Sequence, residues 1–151
     1  MVVTIRGGSA FQKKLASAVL DFAKAELLPK VRTLDVTLKL RKFRKEEGNV
    51  VGWCIYEDDE KPKHREFTIE VSSEQALECF IKTILHEMVH VKQYALAEMR
   101  EAYTNDKHRI YWKGTDHTKT AYTKSPWEKE AYRLQEKLYT KFMKNCFVDM
   151  I

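Results

Sequence analysis

No stretch of eighteen consecutive apolar residues occurs in the 151-residue chain, so no segment reads as a helix that spans a bilayer. The N-terminal segment MVVTIRGGSAF has neither the apolar core nor the small-residue cleavage site of a secretory signal, and a soluble cytoplasmic protein without membrane contact is expected. Cysteine is scarce. Cys54, Cys79 and Cys146 are odd in number, widely spaced and without a CxxC pair, which argues against a disulfide framework and against a separate zinc ribbon. They are expected to be buried thiols in a reducing compartment. There is no internal repeat or low-complexity tract, and 44 % hydrophobic content suffices for one domain, residues 1–151, with a real core.

Charge of one sign is only slightly in excess. A net +5 makes an acidic partner conceivable, nucleic acid in particular, and basic residues gather in residues 39–45 (KLRKFRK). Acidic residues answer nearby in Glu46, Glu47 and the EDDE run that begins at Glu57, so a mixed-sign, solvated surface is the first expectation and a nucleic-acid patch the second.

The pattern along the chain is α+β. Ser9 with Gln12 forms the signature of a capping box that opens a helix over residues 10–28, stopped by Pro29. Three β-branched and aromatic segments follow, at 31–43, 50–56 and 66–71, joined by polar links that contain Gly48 and Pro62; a three-stranded, mainly antiparallel sheet of hairpins is expected. Ser72 or Ser73 is expected to cap a long helix that runs to about Arg100, with Gln75 completing a second capping box if Ser72 is the cap. The polar, tyrosine-rich stretch 101–124 reads as an irregular excursion with a short hairpin around Ile110 to Trp112 and Ala121-Tyr122. A last helix begins at Ser125-Pro126 and carries the stripe Ala131, Leu134, Leu138, Phe142.

Within the long helix lies the segment His86-Glu87-Met88-Val89-His90. Histidines four apart project from one helix face and can bind one metal ion, and Glu87 sits about 100° around the same turn. Neutral imidazoles hold zinc as a strong Lewis acid, while the carboxylate is placed to take a proton from a water that the metal has acidified. The surrounding apolar run, from Ala76 and Leu77 through Phe80, Ile81, Ile84 and Leu85, recurs at helical intervals, so the two histidines and the glutamate would be costly to bury without a partner. A catalytic zinc needs a third protein ligand from outside this helix. The candidates are His108, Asp116, His117, Glu128 and Glu130. Glu128 occupies the capping-box position after Ser125, whereas Glu130 has no such duty and lies at the margin of the buried stripe, so Glu130 is preferred.

The segments HEMVHVKQY (86–94), YWKG (111–114) and SPWEKEAY (125–132) together resemble the small SprT-like metallopeptidases found in phages and bacteria, over roughly residues 66–140. The order of helix, three strands, HExxH helix and a helix bearing a downstream glutamate likewise resembles a minimal zincin of the glutamate-ligand type. The resemblance implies His86 and His90 as zinc ligands, Glu87 as general base, and the glutamate before an alanine, Glu130 before Ala131, as third ligand. The chain departs from the SprT and Spartan proteases, which use a third histidine and often append a cysteine ribbon; His108 lies at about the remove of that histidine. A zinc-dependent metallopeptidase is implied, located in the cytoplasm of the host cell if phage-encoded, with a protein or peptide substrate added as a strand to the sheet near residues 66–71. Tyr103, His108, Tyr111 and Tyr122 are the candidates for stabilising an oxyanion. Two other readings are action on nucleic-acid-associated proteins through the basic surface, and a non-catalytic zinc-binding module.

Overall fold

Ser9 and Gln12 satisfy each other's neighbourhoods: the Gln12 amide donates to Ser9 Oγ at 3.1 Å, and the Ser9 amide to Gln12 Oε1 at 2.9 Å. This capping box starts helix α1, Ala10–Leu27, whose buried face is Leu15, Ala16, Val19, Leu20 and Ala23. The computed structural model describes residues 1–59 and 63–150; Pro62, expected in the turn before the third strand, lies outside them.

The sheet that α1 covers has four strands rather than three, and it is mixed rather than mainly antiparallel. Strand β1, Val2–Gly7, was not expected; it runs parallel to β2, Asp35–Arg41. β2 does not form a hairpin with the next strand, β3, Gly52–Tyr56. It pairs in parallel with β4, Glu66–Ser72, and β3 pairs antiparallel with the far side of β4, giving the order β1-β2-β4-β3. Burial explains this order. Val36, Leu38 and Leu40 of β2 and Phe67, Ile69 and Val71 of β4 are all sequestered on one face, so these two strands take the centre, and the less buried β3 takes an edge. The register Val36↔Phe67, Leu38↔Ile69, Leu40↔Val71 places all six on the face toward the helices. Gly7 leaves β1 with φ +79°, and a Cβ there would lie 2.1 Å from the Leu40 carbonyl oxygen, so the turn from β1 into α1 requires glycine.

Helix α2, Leu77–Ala95, carries the HExxH segment and packs against α1, β3, β4 and the last helix, α3, Pro126–Asn145. Its start differs from expectation: Ser72 ends β4, the amide of Glu74 donates to Ser72 Oγ, Gln75 Nε2 donates to the Ser72 carbonyl, and Ala76 is the uncapped first flank. It also ends earlier, at Ala95, because Ala97 adopts φ 58° and the chain turns into strand β5, Met99–Thr104. β5 pairs antiparallel with β6, Lys107–Trp112, across an Asn105-Asp106 turn with φ of 51° and 61°, and a short β7, Thr115–Asp116, completes a second sheet. The expected hairpin thus exists at Ile110 to Trp112, but its partner is Met99–Thr104, and Tyr122 lies instead in a single 3-10 turn.

Among the described residues no helix is long and apolar enough to cross a membrane. The cysteines are free, with Cys54 and Cys146 partly buried and Cys79 exposed, against the expectation that all three would be buried. In the basic segment 39–45, Arg41 is bound to Glu47 and Glu70 at 2.8 and 3.0 Å and lies over the rings of Phe43 and Trp53, so that charge serves the open face of the sheet.

Candidate metal centre

Helical spacing places His86 and His90 on the side of α2 that faces α3, with ring centroids 4.9 Å apart. From α3, Glu128 reaches between them: its Oε1 lies 3.0 Å from His86 Nε2 and 3.2 Å from His90 Nε2. One ligand atom from each of the three residues falls within 4.8 Å of the others, which makes them a group able to hold a metal ion. Glu130, preferred from the sequence, is not among them. Its Oε1 accepts from Lys92 Nζ at 2.8 Å and from Gln93 Nε2 at 3.2 Å.

The capping argument is what misdirects. Ser125 does stand at the N-cap of α3 with Pro126 at the first helical position, but Ser125 Oγ donates to the Tyr122 carbonyl and makes no cap hydrogen bond, so Glu128 is not engaged in a box. A signal for Glu128 was present: Glu128 and Gln135 are two turns apart and therefore share a face of α3. Gln135 also meets the site, its Oε1 lying 2.7 Å from His86 Nδ1.

The other candidates lie elsewhere. His108 is an exposed residue of β6 paired with Glu101 at 2.9 Å and stacked on Tyr103. Asp116 accepts from Thr118, and His117 Nδ1 meets Thr120 Oγ1 at 3.0 Å.

The donor chemistry fits a cation. His90 Nδ1 lies 2.8 Å from Gln93 Oε1, and His86 Nδ1 meets Gln135 Oε1, so each imidazole can give its Nδ1 hydrogen to an amide oxygen. Both Nε2 atoms then direct lone pairs at a carboxylate oxygen, an arrangement that only a proton or a metal ion between them satisfies. Two imidazoles and one carboxylate are a donor set suited to a divalent transition metal.

Electrostatics agree with this grouping. Burial alone would raise the Glu128 carboxyl, but the hydrogen bonds it accepts when protons occupy the His86 and His90 Nε2 atoms override it and hold it down to about 2. Burial disfavours charge on His90, yet its contact with Glu128 and the nearby Glu87 raise its pKa. Glu87 is 5 % exposed, and burial raises its pKa against the opposing pull of His90 and His86, with Glu128 adding to the rise. Its Cγ packs near Gly52, where an added Cβ would lie 2.6 Å from Thr83 Cγ2, so glycine lets β3 approach the helix beside Glu87.

The three residues and Glu87 lie in a cleft of about 810 Å³ walled by residues 49–54 on one side and by Tyr122, Trp127 and Tyr132 on the other. Of the four candidates for an oxyanion donor, only Tyr122 lines this cleft. Tyr132, which sequence reasoning missed, stands with its ring 4.7 Å from that of His86. Compared with family models, curated proteins and solved structures, the chain matches none of them.

Proposed function

We propose that the chain is a zinc-dependent metallopeptidase of zincin-like arrangement, with zinc held by His86, His90 and Glu128 and with Glu87 as general base. The observation that carries this reading is the convergence of three ligand atoms from two helices in an open cleft, beside the buried carboxylate of Glu87. Zinc bound there would supply Lewis acidity toward a water and a carbonyl oxygen.

The chain's own residues do the rest. Glu87 accepts a proton as the water oxygen bonds to the scissile carbon, and it returns that proton to the amine nitrogen as the carbon–nitrogen bond breaks. Burial disfavours the charged form of Glu87, which favours proton uptake there. Tyr122 and Tyr132, which line the cleft, would donate to the developing oxyanion.

The substrate strand belongs at β3 rather than beside residues 66–71, because β4 is interior and β3 is the edge that lines the cleft. The Ser72 amide donates to the Val51 carbonyl and the Glu57 amide to the Glu66 carbonyl, so odd-numbered residues of β3 bond to β4. The backbone groups of Gly52, Cys54 and Tyr56 consequently point off the sheet edge, available to an extended peptide.

The test is the Glu87→Gln variant, assayed for zinc content, melting and cleavage of an unfolded protein. Glutamine keeps the shape and cannot take the proton, so cleavage should fall on the order of 10²–10⁴-fold with about one zinc per chain retained. Unchanged cleavage would remove Glu87 from the mechanism, and wild-type protein that takes up no zinc would refute the reading as a whole.

A further inference from the structure

Gln93 is fully buried, one turn beyond His90's position in the helix. Its Nε2 lies 2.9 Å from the Trp127 carbonyl oxygen and 3.2 Å from Glu130 Oε1, and both of these groups only accept hydrogen bonds. The nitrogen must therefore face α3, and the amide oxygen must face His90 Nδ1, 2.8 Å away. An oxygen there accepts a hydrogen from Nδ1 and fixes which ring nitrogen is left with a lone pair. Glu130 is held in turn by Lys92, whose Nζ lies 2.8 Å from Glu130 and 2.7 Å from Glu98.

We propose that Glu130 and Gln93 are positioning residues that lock His90 in the Nδ1-protonated tautomer, so that Nε2 is its metal-donating atom. The inference rests on the metal-centre reading above. It gives Glu130 a role two bonds removed from the ion: the carboxylate orients an amide, and the amide orients the imidazole. On the other histidine Gln135 acts alone, since His86 Nδ1 meets its Oε1 with no second relay partner among the described residues.

The experiment uses full-length protein labelled with ¹⁵N-histidine and loaded with zinc, read by two-bond proton–nitrogen correlation, together with zinc affinity measured against a chelating dye. In the wild type, His90 should carry its hydrogen on Nδ1 and bind through Nε2. Gln93→Met should weaken zinc affinity roughly 10–100-fold and expose the His90 Nδ1 hydrogen to exchange with water. Glu130→Leu should shift in the same direction, whereas Glu130→Gln, which keeps an accepting oxygen for Gln93, should stay close to wild type in both readouts. Gln135→Met should disturb the His86 signals and leave those of His90 in place.

Binding of His90 through Nδ1, or a folded Gln93→Met protein with wild-type affinity and spectrum, would overturn the relay while leaving the metal centre standing. Wild-type protein that binds no zinc would overturn both. Should Gln93→Met fail to fold, the wild-type spectrum and the Glu130 pair decide the matter, because Glu130→Leu and Glu130→Gln behaving alike would also overturn it.

Discussion

At the scale of single residues, the part of the centre that one helix builds is legible from sequence and the part that two helices build is not. His86, Glu87 and His90 are brought together by the α-helical repeat alone, so their spacing suffices. Glu128 and Glu130 are two apart on α3, and which of them meets the histidines depends on the rotation of one helix against the other, which is set by packing of Trp127, Ala131, Leu138 and Phe142. That rotation turns Glu128 to the histidines and Glu130 to Lys92 and Gln93. The consequence is measurable. Glu128→Ala should cost more zinc affinity than the roughly 10–100-fold expected of a group that only orients a ligand, because it removes one of three donors. A zinc titration of Glu128→Ala beside Glu130→Ala checks this, with melting curves to report misfolding. Equal affinities in the two variants, or a greater loss in Glu130→Ala, would return Glu130 to the ligand set.

At the scale of elements, the three helices were legible because each carries apolar residues at three and four residue intervals, and two of them carry a readable start, Ser9 for α1 and Pro126 for α3. The sheet was harder. β1 offers only Val3 and Ile5 on its inward side, and its partner is parallel, so no hairpin turn announces it. β2 and β4 lie side by side although β3 intervenes in sequence, a crossover that alternation within each strand cannot reveal. Within β3, alternation alone does not tell which face is buried. Trp53 and Ile55 oppose Glu70 and Thr68 on the open face, and Gly52, Cys54 and Tyr56 oppose the buried Val71, Ile69 and Phe67. This arrangement predicts how a substrate strand would register. With an uncleaved peptide bound to the zinc-loaded Glu87→Gln protein, amide hydrogen exchange should slow at Gly52, Cys54 and Tyr56, whose amides gain a partner, and stay unchanged at Trp53 and Ile55, whose amides already bond to β4. Slowing at Trp53 and Ile55 alone, or nowhere on β3, would rule out strand addition at this edge.

At the scale of the whole molecule, the candidate centre joins the interior of α2 to the first turns of α3. α2 is anchored on several sides, by α1, β3 and β4, whereas α3 is fixed to the body through α2, a few contacts with α1, and the buried side chains of Trp127, Ala131, Leu138 and Phe142. A metal ion across this junction would therefore tie the less anchored helix to the better anchored one. Ligand linkage sets the scale: an ion present at about 100 times its dissociation constant and bound only by the folded state adds roughly 2.7 kcal/mol. For a chain of this length that corresponds to a rise of roughly 5–10 °C in melting temperature. Zinc should produce that rise in the wild type, a chelator should reverse it, and Glu128→Ala should show little of it at the same concentration. The protection should also be local, with amide exchange slowed most in the first turns of α3 around Glu128 and least in α1, which contributes no residue to the centre. A melting temperature indifferent to zinc and chelator alike would mean that no ion bridges these two helices, and a rise that survives in Glu128→Ala would place the bound zinc somewhere else on the chain.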